Sequence, residues 1–313
     1  MSEIRKCVNA DGPKKNVAVF DGGGVRGRFS LEVCRLLAEN QPVPLSQLFS
    51  MVIGVSAGAI VATVIALGLL DDSKMASATC LNFYTYMPHM FHKPNKSGPW
   101  FTSRYDGTGK SFALRTILGS KTFSDVRTPL VICCCELNGK PRNFRSWDPL
   151  LKDVLLSDVL DASSAAPLFF PPIRVQGDWL VDGGVSANKP LMPALLYSME
   201  FFDRVHIRFL SIGSAAESTT NPEPTVAKAA LMGVFAWIAH GLLNVILGTQ
   251  DNTHDKVMEA FFMDRFMRVE CNCNDIRIDD YSNTSCIRFD TAAKKVWQAD
   301  ADKVLAFLNP TLP

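Results

Sequence analysis

Short apolar runs divided by small and polar turn residues dominate the first two thirds of the chain. Residues 16–20, 49–53, 129–137 and 205–212 have the length and composition of strands. The third is apolar nearly throughout, as expected of a strand covered on both faces. Longer stretches between these runs predict helices over 29–38, 57–70, 74–87 with Pro88 as its stop, 109–118 capped at Gly119, and 155–166 stopped by Pro167. Asn188 has the chemistry to cap a helix running to Met199, with Pro190 in its first turn. Further helices are predicted over 225–247, 253–266 and 291–308, with partner or edge strands at 143–147 and 266–271. Residues 94–105 read as a loop, residues 1–15 as a polar tail, and 16–313 as a single domain. Strands alternate with helices through Ser211, so the expected fold is α/β: a mostly parallel central sheet with helices on both faces.

Two windows without charge, 40–70 and 229–250, are long enough to span a bilayer. The first contains Pro42, Pro44 and many small residues, and a buried strand and helix explain it better. The second contains His240, Asn244 and Gln250, which argues for a helix that is either core or an apolar lip, with Trp237 suited to such a boundary. No transmembrane span is expected. A net charge of +1 over 313 residues gives no broad basic surface for nucleic acid. The nine cysteines include Cys133-Cys134-Cys135 inside a strand, and Cys271-x-Cys273 lacks the partners of a zinc site. Buried thiols in a reducing, cytoplasmic compartment account for them. No metal or cofactor is assigned, because no calcium-loop pattern is present either.

Candidate chemistry sits at three turns. Gly54-Val55-Ser56-Ala57-Gly58 joins a strand to a helix, the setting of a G-x-S-x-G elbow. Gly54 and Gly58 permit the sharp turn that would present the Ser56 hydroxyl, although a bland turn has the same composition. Upstream, a strand feeds Gly22-Gly23-Gly24-Val25-Arg26-Gly27 at the head of a helix, a loop suited to binding negative charge. Beside a nucleophilic serine that charge would be an oxyanion. Gly22-x-Gly24-x-x-Gly27 also fits a dinucleotide fingerprint, but nothing acidic lies between Glu39 and Asp71 to complete it. Downstream, Asp182-Gly183-Gly184 closes a short apolar run, where an aspartate can be aimed at a hydroxyl or can merely bond its own turn.

In this order the three stretches resemble the patatin-like phospholipases. Tyr105-Asp106-Gly107, Ser124-Asp125-Val126, Ala162-Ser163-Ser164-Ala165-Ala166-Pro167 and Phe170-Pro171-Pro172 resemble that family's landmarks in the same order. The resemblance implies a lipid acyl hydrolase with a Ser–Asp dyad, acting on phospholipids or galactolipids at a membrane or micellar interface, with peripheral membrane contact. It implies Ser56 as nucleophile and Asp182 as base. Gly22, Gly23, Gly24 and Arg26 then belong to the oxyanion loop, joined by the N–H of Ala57, with Gly54, Gly58, Gly183 and Gly184 shaping the turns. Arg26 could add charge or hold a substrate phosphate. A Ser–Asp–His triad stands as the rival, with His206, His240 and His254 following Asp182 and His254 the best placed. A catalytically silent interaction module on the same fold is the other rival. Phe169-Phe170-Pro171-Pro172 could line an acyl pocket or cover a sheet edge.

Overall fold

The computed structural model describes residues 13–92, 102–214, 253–273 and 276–309. The tail before residue 13 and the helix expected over 225–247, with Trp237 and His240, lie outside these.

Among the described residues, eight strands form one sheet. They are β1 (Lys15–Phe20), β2 (Met51–Val55), β3 (Leu130–Glu136), β4 (Pro141–Arg145), β5 (Ile173–Val175), β6 (Asp178–Asp182), β7 (Ile207–Ile212) and β8 (Phe266–Val269). The hydrogen-bonded path runs β5-β6-β3-β2-β1-β7-β8, with β4 attached to β3. Pairings among β1, β2, β3, β7 and β8 are parallel, as the strand–helix alternation predicts. β4, β5 and β6 are antiparallel additions.

The register of β3 fixes how these additions meet the rest. β2 pairs with Leu130–Cys133, ending at Val55 opposite Cys133. β6 pairs with Cys134–Glu136 and ends at Asp182 opposite Cys134. β4 pairs with Val131–Cys135 and so overlaps both. A strand has two edges, so β2 and β6 must share the edge that β4 leaves. They run toward each other and stop one residue apart. The carboxyl end of β2 therefore abuts the carboxyl end of β6, although the strands point in opposite directions.

Alternation along the strands builds two cores. Ala18, Phe20, Val52, Ile132, Cys134 and Leu210 face helices Gly27–Asn40, Ala57–Ala66 and Asn283–Leu308. Val17, Val19, Ile53, Val131, Cys133 and Phe209 face helix Leu191–Phe201 and Met258 and Phe262 of the helix over 253–262. The result is three layers, with helices on both faces of the sheet. No helix among the described residues is long and apolar enough to cross a membrane.

Several element ends differ from the sequence expectation. Helix Ser73–Met90 runs through Pro88, which lies in its last turn. Its start is fixed by Asp72, whose side chain accepts the Met75 N–H at 2.8 Å. The last helix begins at Asn283, not 291, with Ser282 as its cap. The N-cap of helix Leu191–Phe201 is Pro190, not Asn188, which closes the short helix Gly184–Ala187 at its carboxyl end. Asn188 also meets the glycine loop.

Candidate active site

Strand β2 ends at Val55 and a helix begins at Ala57, leaving Ser56 alone in the turn. Its backbone has φ +55° and ψ −126°, a conformation rare for a residue with a side chain. Such strain costs on the order of 1–3 kcal/mol and persists only where the surroundings enforce it. They do so here through contact between strand and helix. A methyl at Gly54 would fall 2.3 Å from the Gly58 carbonyl oxygen, and one at Gly58 would fall 2.3 Å from that of Phe20.

The abutting strand ends bring Ser56 and Asp182 together. Ser56 Oγ donates to Asp182 Oδ2 at 2.6 Å, and the Gly184 N–H donates to Oδ1 at 2.8 Å. Both side chains are buried. Burial pushes the Asp182 carboxyl up to about 6, while the bonds from Ser56 and Gly184 and the charge of Lys110 act the other way.

The glycine loop lies beside this pair as a short 3₁₀ turn, Gly24–Arg26, leading into helix Gly27–Asn40. Gly22 donates its N–H to the Asn188 carbonyl at 3.0 Å, and Val25 donates to Ile278 at 2.9 Å. Gly24 has φ +58°, and a methyl there would lie 2.2 Å from the Ile278 carbonyl oxygen. Arg26 is buried and donates Nε–H to the Ile276 carbonyl at 3.1 Å, tying the loop to the 276–278 segment. Ser214 Oγ donates to the Gly22 carbonyl. Among the described residues, the N–H groups of Gly23 and Gly24 meet no backbone acceptor. The Ala57 N–H opens its helix and has no intrahelical partner.

Of the histidines after Asp182, His206 lies at the amino end of β7, where its carbonyl accepts the Lys15 N–H, at the far sheet edge from Ser56. His254 sits near Lys189, where burial holds its imidazole below the usual range. His240 lies outside the described residues.

A cavity of about 280 Å³ opens over Ser56 and Asp182. One wall is apolar and includes Phe83, Met87, Met90, Phe91, Phe169 and Phe170. The expectation for Phe169 and Phe170 thus resolves toward a pocket lining. The lining also carries the paired charges Lys189–Asp255 and Arg268–Asp21. Sequence reasoning missed Asn188, Ser214, Arg268, Lys110 and the 276–278 segment, because their contacts to the loop and the pair are long-range and follow no local spacing.

Comparison with known proteins agrees with this architecture. A sequence model of the family described as patatin-like phospholipase matches residues 18–195, more than half of the chain. Patatin-like protein 2 of Oryza sativa is 26% identical over 309 residues, covering 84% of this chain and 75% of that protein. A cUMP-AMP-activated phospholipase of Escherichia coli is 27% identical over 273 residues, covering 79% and 78%. Among solved structures, VipD from Legionella pneumophila superposes over 92% of this chain and 67% of its own, with TM-score 0.53 and 14% identity, a likeness of fold. With the family's sequence pattern spanning both Ser56 and Asp182, the chain belongs to the patatin-like phospholipases.

Proposed function

We propose that the protein hydrolyses carboxylic esters of membrane or micellar lipids, phospholipids or galactolipids, through a Ser56–Asp182 dyad. The observation that carries this reading is the 2.6 Å contact from Ser56 Oγ to Asp182 Oδ2 at the base of an apolar-walled cavity. Asp182 accepts the hydroxyl proton as Ser56 Oγ attacks the ester carbonyl. The developing oxyanion lies toward the N–H groups of Gly23, Gly24 and Ala57. Asp182 then returns the proton to the leaving alcohol, and the acyl group remains on Ser56. Asp182 next takes a proton from water as that water attacks the acyl-enzyme, and gives the proton to Ser56 Oγ as the fatty acid leaves. Arg26 serves this reading by holding the loop, since its guanidinium is turned to the chain. The cavity lies near the lower end of the ~300–1,000 Å³ usual for small-molecule sites, which suits one acyl chain better than a whole lipid.

Direct contact favours the dyad over the triad. In a triad the histidine stands between serine and acid. Here both Asp182 oxygens already have donors, Ser56 and Gly184. The test is lipid product analysis. Purified protein incubated with phospholipid and galactolipid vesicles should release free fatty acid, and Ser56→Ala should release none. A wild type silent on vesicles and on short esters would favour the interaction module.

The pH profile offers a separate check. Asp182 must be ionised to accept a proton, and its carboxyl titrates at about 6 in the fold. For a soluble p-nitrophenyl ester, kcat/KM should be level above that pH and fall about tenfold per unit below it. A profile flat down to pH 5 would remove Asp182 from the role of base.

A further inference from the structure

We propose that Ser163 is a positioning residue for the Ser56–Asp182 pair, and that residues 161–165 act as a gauge setting the distance between them. The proposal rests on the hydrolase reading above. Ser163 is the last residue of helix Leu156–Ser163 and is fully buried. Its Oγ accepts the Ser56 N–H at 3.0 Å and donates to the Cys133 carbonyl at 2.6 Å. Two residues on, the Ala165 carbonyl accepts the Asp182 N–H at 3.0 Å. One short segment therefore grips the main chain of both members of the pair.

That grip matters because β2 and β6 are not hydrogen-bonded as a ladder: they meet end to end along β3. Sheet pairing alone leaves the gap between their ends to the stiffness of β3. The backbone of Ser56 is also strained, and a fixed acceptor for its N–H opposes relaxation of the turn.

The gauge is itself clamped. Lys110 is buried, and its Nζ donates to the Asp161 carbonyl at 2.6 Å and to Ser164 Oγ at 3.2 Å, with Asp161 Oδ1 at 3.0 Å. The ammonium group thus bonds the segment at two points and pairs its charge with Asp161. Ser111 Oγ donates to the other carboxylate oxygen of Asp161 at 2.5 Å. Ser163 is not among the residues lining the cavity, so its effect passes through Ser56.

A misplacement of about 1 Å at a reacting group can cost on the order of 10²-fold in rate. In Ser163→Ala, kcat for p-nitrophenyl butyrate should fall about 10- to 100-fold while KM stays within about twofold. Ser163→Thr, which keeps the oxygen, should recover most of that loss. Melting temperature is measured alongside, so that kcat refers to folded protein. A Ser163→Ala enzyme with a lower melting temperature but kcat within about twofold of wild type would overturn the proposal, leaving Ser163 a packing residue. Should Ser163→Ala not fold, Ser163→Cys, a weaker acceptor, carries the same comparison. Failure of the hydrolase reading looks different, as a wild type silent on esters. In that case the rate of fluorophosphonate reaction at Ser56 decides: slower in the variant supports the gauge, and equal rates overturn it.

Discussion

Ser56→Ala and Asp182→Asn should each lower kcat for a soluble ester by at least about 10³-fold, and the double variant should be little worse than either alone. The expectation follows from the 2.6 Å contact between the two side chains, which makes them one device. Independent, multiplying losses would sink the dyad. Stability should move the other way. The Asp182 carboxyl titrates at about 6 in the fold against an ordinary 3.8. A carboxyl raised on folding contributes stability below its unfolded value and loses that contribution as pH rises through its folded value. At pH 8 the ionised group therefore opposes folding, by roughly 3 kcal/mol for a shift of this size. Asp182→Asn should melt at the wild-type temperature or above at pH 8, with the gain fading near pH 4. A lower melting temperature at pH 8 would mean that the carboxylate stabilises the fold it serves.

Gly58→Ala should lose activity and stability together. A methyl at Gly58 meets the carbonyl oxygens of Phe20 and Asp21 at 2.3 and 2.5 Å, and both are main chain. No rotamer change relieves that contact, so the elbow helix must lift from the sheet. Overpacking of this kind costs about 1–3 kcal/mol or more, and here it also moves Ser56. Gly139→Ala is the control. Gly139 has φ +86° with nothing within 4 Å of an added methyl, so only backbone strain of about 1 kcal/mol applies, with kcat unchanged. Urea midpoints and kcat of the two variants separate the effects. Equal behaviour would show that the helix is not seated as tightly as its contacts imply.

The parallel half of the sheet is legible in the sequence because β1, β2, β3 and β7 are apolar runs followed by turns or helices. Ser56 is legible for the same reason: strand, turn and helix are local. The direction of β6 is not. A short apolar run suits a parallel or an antiparallel strand, and only the register with β3 shows which it is. Asn188 illustrates a second limit. An asparagine before a proline and a helix has capping chemistry, yet the helix starts after Pro190, and the Asn188 carbonyl accepts from Gly22, far away in the chain. Ser163 illustrates a third: its hydroxyl lies within an ordinary small-residue stretch, and its partners Ser56 and Cys133 are set by tertiary packing.

The end-to-end meeting of β2 and β6 has a consequence for timing. Ser56 and Asp182 are 126 residues apart, and β6 is reached only after β3, β4 and β5. As the chain leaves the ribosome, the elbow can fold against β1 and β3 long before its partner exists. On the proposed dyad, Ser56 would have no base until β6 docks. A chain arrested or cleaved before residue 182 would carry β1, β2 and β3 and should remain inert toward lipid. On that mechanism, hydrolysis would begin only once residues 178–182 have joined β3.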